Sequence, residues 1–146
     1  MADGKDVYCD VANLIYSRSI TKNDVAERQI GKNAVLGCGF GMGWSTFQER
    51  YGKGHPESFC RGIIDTYRKQ WAPKVPKLWY ALEEAAFLAV AHKGQVHKTY
   101  GIEYEFVDWW LECRMPSGQT MYYFDPRVDV TPEEDTYHRG VWSYET

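Results

Sequence analysis

Apolar positions recur at helical spacing through the first two-thirds of the chain and alternate after Lys98, so helices are expected first and strands afterwards. Residues 1–5 read as a frayed start. Val7, Val11, Leu14 and Ile15 share one helical face and predict a helix over 6–17. A connection over 17–22 leads to a second helix, with Thr21 or Asn23 as its cap and Asp24 and Glu27 suited to its N-terminal dipole. Its glycines should end it between Gly37 and Gly43. A short helix over 44–51 closes at the loop 52–56. The next has Pro56 in its first turn, where a missing N–H is harmless, turns Phe59, Ile63 and Tyr67 inward, and runs to about Trp71. Pro73 and Pro76 break the chain. A last helix over 76–92 buries Leu78, Leu82, Ala85, Ala86 and Ala89, with Gly94 beyond its end.

Alternation then predicts strands over 103–106, 109–115 and 120–124. Pro116-Ser117-Gly118 forms the tight connection of a hairpin, proline fixing φ and glycine supplying φ > 0. Trp109 and Trp110 would alternate across a strand, which puts one of them in the core. From Pro132 the chain is polar and acidic, with too little pattern for an element.

Composition narrows the class. With 146 residues and 44% hydrophobic content the chain can bury one modest core. No apolar run approaches the ~20 residues of a membrane span, and no signal-peptide pattern opens the sequence. Cys9, Cys38, Cys60 and Cys113 are scattered without a CxxC pair, as expected of reduced thiols in a cytoplasmic protein. The net charge of −3 conceals a division. Residues 1–102 carry 14 Lys and Arg against 10 Asp and Glu, whereas residues 103–146 carry 3 against 10. A polyanion responds to local charge density, so the acidic end does not exclude phosphate binding by the rest.

The segment 28–41, RQIGKNAVLGCGFG, organises the chain. Arg28, Lys32, Leu36 and Phe40 recur every fourth residue, and on a helix each step drifts only about 40°. The resulting stripe starts with two cations, suited to a polyanion, and ends with an aliphatic and an aromatic side chain, suited to a flat base. Gly37 and Gly41 would leave a bare patch beside it for another backbone. Each internal glycine costs roughly 1 kcal/mol relative to alanine, a cost that a merely packed helix would avoid. Read purely structurally, the same stripe would hold Arg28 and Lys32 in surface ion pairs and Leu36 and Phe40 in the core.

The spacing Arg-x3-Lys-x3-Leu-Gly-x2-Phe-Gly resembles motif B of the family A (DNA polymerase I-like) DNA polymerases, the mobile O helix of their fingers. GKNAVLGCGFGMG looks most like the phage-type branch. Leu36 stands where many members have Phe or Tyr, and Phe40 where they have Tyr. Two further stretches resemble the family in the right order: DVYCDVANLIYS before motif B, and MPSGQTMYYFDP as a hairpin after it. The resemblance implies an α+β chain, with helical fingers over 1–98, a palm hairpin over 99–128 and an acidic tail over 129–146. It implies that Arg28 and Lys32 contact the phosphates of the incoming dNTP, with Lys32 also catalytic. Leu36 would lie beside the sugar, and Phe40 and Gly41 against the template and primer. Motifs A and C, whose aspartates hold Mg2+ in the complete enzyme, have no counterpart in these residues. The chain alone is therefore expected to be inactive, with partner segments supplying both motifs.

Other motifs carry less. The glycines at 37, 39, 41 and 43 follow a helix and lack the GxGxxG or GxxxxGK[ST] context of a nucleotide loop. His92 and His97 straddle a helix end without a third ligand and read as exposed histidines. Glu83 and Glu84 point about 100° apart on a helix. The seven cations between Arg50 and Lys77 fit a solvated basic face. Two other functional classes remain: a non-catalytic DNA- or protein-binding module with a fingers-like fold, and a helical scaffold without a nucleotide role.

Overall fold

A computed structural model of the chain describes residues 4–129 and 141–143. The architecture is α+β, helices followed by antiparallel strands, and it divides into two compact units, Met1–Lys77 and Leu78–Thr146.

In the first unit α1 (Val7–Tyr16) begins at Asp6, whose carboxylate accepts from the Tyr8 and Cys9 amides at 3.1 and 3.4 Å, and ends at Ser17 in the left-handed region. Helix α2 (Val25–Gly39) follows. Its cap position is held by Asp24, not by Thr21 or Asn23. The Asp24 carboxylate turns back to accept from the Thr21 amide at 2.8 Å and hydroxyl at 3.0 Å, which tightens the turn before the helix. Then come α3 (Trp44–Arg50), α4 (Glu57–Asp65) and a π-helical segment, Thr66–Trp71, that continues α4. The core gathers Val11 of α1, Ile30, Ala34 and Cys38 of α2, Phe47 of α3 and Cys60, Ile63 and Ile64 of α4 around Tyr67.

In this unit α1 and α2 meet backbone to backbone. Gly31 is buried against the Tyr8 carbonyl, and a Cβ there would fall on that oxygen and press on the Ala12 methyl. Close packing, not a special dihedral angle, demands glycine at this position.

Helix α5 (Lys74–Ala91) starts two residues earlier than the proline pattern suggests. Pro76 lies inside its first turn, among donors that have no intrahelical acceptor, so the missing N–H breaks nothing. Only Pro73 marks a break. In the second unit Ala89 is buried with Phe106 and Leu111, while Ala86, Val90, Tyr104 and Tyr123 pack around them.

The strands form a four-stranded meander that contains the expected hairpin. β1 (His97–Thr99), β2 (Ile102–Val107), β3 (Trp110–Arg114) and β4 (Thr120–Phe124) pair antiparallel in chain order. The Pro116-Ser117-Gly118 turn is present, with the Gly118 amide donating to Met115 O at 2.9 Å and Gly118 at φ 88°. The expected strand over 109–115 is shorter at both ends. Trp109 falls in a two-residue turn with Asp108, and Trp110 pairs with Val107 and Phe124 on the face opposite Phe106 and Leu111. Both tryptophans are exposed, 63% and 43%, and neither enters the core. On the open face Arg114 bonds to Glu105 and to Glu112 and lies 3.6 Å from Glu103. Beyond the sheet β5 (Arg127–Asp129) pairs with β6 (Val141–Ser143), and the rest of the acidic tail lies outside the described residues.

Gly31→Ala is expected to lower stability by about 1–3 kcal/mol, because overpacking outweighs the helix-propensity gain. Gly62, inside α4 with nothing within 4 Å of a built Cβ, provides the contrast. Gly62→Ala is expected to gain up to ~1 kcal/mol. Urea midpoints measure both, and a Gly31→Ala midpoint at or above the parent would mean that α1 and α2 yield at this contact.

Candidate functional site

Helix α2 carries the charged and aromatic series, and its first member is engaged rather than free. Arg28 Nε donates to Asp6 Oδ2 at 2.8 Å, and its guanidinium lies 5.3 Å from the centre of the Tyr8 ring. Two sequence-distant groups are thereby joined: the side chain that caps α1 also orients the cation of α2. The Arg28 bond holds the Asp6 carboxyl below its ordinary range, opposed by desolvation and aided by the Cys9 and Tyr8 amides. Arg28 is correspondingly raised.

Around this pair lies an open depression of about 450 Å3. Lys5 and Asp6 enter it ahead of α1, Val7 and Tyr8 from its first turn, Lys22 from the α1–α2 connection, and Arg28 and Val35 from α2. Three cations and one carboxylate give it a net positive charge. Lys32, one turn beyond Arg28, is half-buried and does not line it. Among the described residues Lys32 makes no ion pair, so its ammonium is unclaimed on the flank of the depression.

The other end of the series is apolar and bare. Leu36 is 47% exposed and Phe40 92% exposed, so neither belongs to the core. Phe40 is not a helical residue: α2 ends at Gly39, and Phe40 and Met42 both donate to Gly37 O at 3.1 Å as the chain turns. The stripe is helical through Leu36, and its last member stands on the turn. Gly41 occupies that turn at φ 78°, with open space where a Cβ would be. The bare patch expected at Gly37 and Gly41 is reduced to Gly41, because the Met42 side chain covers Gly37 and a Cβ there would meet Met42 Sδ at 2.9 Å. Arg68 of the π-helical segment donates to the carbonyls of Gly41 and Met42 at 3.4 and 3.2 Å, which holds the turn presenting Phe40.

Comparison with known proteins finds a phage relative. The chain is 27% identical over 129 residues to a protein of Bacillus phage SP02 named "DNA polymerase". That match covers 87% of this chain but 19% of the relative, so the chain spans about a fifth of that protein's length. No family model matches, and no solved structure gives a significant match.

The remaining candidates are chemically quiet. All four cysteines are free and buried. Burial pushes the Cys38 thiol up to about 11, against the pull of Arg68, so it stays protonated at neutral pH. His92 and His97 stack with ring centres 5.6 Å apart, and His97 is half-buried rather than exposed. No group of three potential metal ligands is found among the described residues. No helix among them is long and apolar enough to cross a membrane. Spacing on one helix could not reveal Asp6, Lys5, Lys22 or Arg68 as neighbours of the series. In the sequence Asp6 reads only as the first residue of the expected helix over 6–17.

The Asp6–Arg28 pair has a pH signature. A carboxyl depressed on folding contributes stability that is fully present above its unfolded value and is lost as pH falls through the folded one. Asp6→Asn retains a capping oxygen but loses the charge. The stability gap between parent and Asp6→Asn is therefore expected to be constant from pH 7 to 5 and to close on acidification below about pH 4. A gap that persists undiminished at pH 2.5 would deny the carboxylate this role.

Proposed function

We propose that this chain is part of a template-directed DNA polymerase and that α2 with its following turn holds the incoming deoxynucleoside triphosphate. The observation that carries the reading is the polarity of the series along one helix. Arg28 opens into a positively charged depression near the start of α2, and the bare Phe40 stands on the turn that follows, after about 17 Å of helix rise. That span suits a nucleoside triphosphate laid along the helix, phosphates at the basic end and base at the aromatic end. The name of the phage relative supports the same activity class.

In this reading Arg28 and Lys32 bind the β- and γ-phosphates. Lys32, free of ion pairs among the described residues, also stabilises charge developing on the pyrophosphate and donates a proton to it. Leu36 packs beside the sugar. Phe40 stacks against the nascent base pair, an interaction of about 1–3 kcal/mol per base, and Gly41 leaves room for the template. Mg2+ would supply the two-metal chemistry of the complete enzyme, and its aspartates would come from partner segments carrying motifs A and C. The described residues offer no cluster to hold it, and the isolated chain is inactive in this reading.

Single-turnover dNTP addition tests the proposal in a polymerase reconstituted from this chain and those segments. Lys32→Ala is expected to lower the chemical rate about 100-fold or more while primer-template affinity changes little. An unchanged rate removes Lys32 from the chemistry. DNA binding that is salt-sensitive but indifferent to nucleotide would instead point to a non-catalytic binding module.

Leu36 generates a second expectation. Its side chain lacks a hydroxyl to replace a missing sugar 3′-OH, so dideoxynucleotides should be rejected strongly. Leu36→Tyr is expected to relax that rejection by about 1–3 kcal/mol, read as the ratio of dideoxy to deoxy incorporation. An active variant with an unchanged ratio would place the sugar elsewhere.

A further inference from the structure

We propose that Lys5 and Lys22 form, with Arg28, the subsite for the terminal phosphates of the incoming nucleotide. This rests on the triphosphate reading above and adds two residues that lie outside the motif. Three observations carry it. First, the Arg28 charge is already offset by Asp6 at 2.8 Å, so Arg28 alone is a weak counter-charge for a polyphosphate. Second, Lys5 and Lys22 line the same depression from two different segments, one ahead of α1 and one in the α1–α2 connection. Third, neither lysine makes an ion pair among the described residues, whereas Arg18, four residues before Lys22, pairs with Asp24 and Glu27. Their charges are therefore available to a ligand.

The depression, open and about 450 Å3 in volume, has room for a short chain of phosphates. Asp6 has a positioning part in this arrangement. By taking Arg28 Nε it fixes the plane of the guanidinium at the depression wall, where Tyr8 supports it from one side. Lys32, one helical turn beyond Arg28, does not line the depression. The lysines are exposed, so their attraction for phosphate is screened by salt. They act on binding of the ground state, whereas Lys32 acts on the leaving group.

The full chain and inorganic tripolyphosphate test this directly by calorimetry at low ionic strength. Lys5→Gln/Lys22→Gln is expected to weaken binding by about tenfold or more. Lys53→Gln/Lys74→Gln removes the same charge away from the depression and is expected to leave affinity unchanged. Both pairs are exposed, so folding is preserved, and matching urea midpoints verify it. The proposal is overturned if the wild-type chain does not bind tripolyphosphate, if the first double variant binds as tightly as the parent, or if the control pair loses as much. In the reconstituted polymerase the same variant is expected to raise the KM for dNTP several-fold with kcat unchanged. An unchanged KM overturns the assignment, and if Lys32→Ala still slows the chemistry, the polymerase reading survives it. The reverse pattern, tripolyphosphate binding that depends on Lys5 and Lys22 with a chemical rate indifferent to Lys32, separates an anion site from the polymerase reading.

Discussion

Two helical backbones come into contact where α2 passes the Tyr8 carbonyl, and only hydrogen at Cα of Gly31 allows it. That distance determines what lies nearby. With α1 and α2 this close, Arg28, three residues before Gly31, reaches the Asp6 cap of α1, and the depression collects residues from both helices and their connection. A wider separation would leave Arg28 in solvent and the capping carboxylate with the Tyr8 and Cys9 amides alone. The ion pair itself is a minor source of stability, being partly exposed and bridged by one short contact. Its importance is directional: it aims a cation that would otherwise sample many rotamers. The apolar side chains below, from Val11 to Tyr67, provide the stability that keeps the aim.

Much of the helical half was legible because periodicity reports burial, and burial dominates there. Ile63 and Tyr67 are nearly solvent-free and Ala89 is fully enclosed, as their spacing implied. The same logic failed at Phe40, whose four-residue spacing suggested a helical stripe. Helix termination depends on local hydrogen bonding, and the Gly37 carbonyl captures the Phe40 and Met42 amides before another turn can form. It failed again at Trp109, because a two-residue turn at Asp108 has no proline or glycine to announce it. Pro76 misled in the opposite sense, since a proline that usually stops a helix is harmless where no N–H is needed.

The site was less legible than the fold. Arg28, Lys32 and Leu36 do share α2, and that much follows from counting. The partner of Arg28 lies 22 residues away, and no local pattern connects the two. Arg68 holds the Gly41–Met42 turn from 26 or 27 residues further along, through a π-helical segment that propensity does not distinguish from an ordinary helix. Charges placed by tertiary packing leave no periodic trace.

The meander of the second unit has a kinetic consequence. Each of its four strands pairs only with its chain neighbours, and the longest connection between them is the five residues from Met115 to Gln119. Every loop that must close is short, so little chain entropy is spent before a new pairing is rewarded. Such a sheet assembles one hairpin at a time, on the microsecond scale of hairpin formation, without waiting for distant segments. The sheet therefore needs no register from remote parts of the chain.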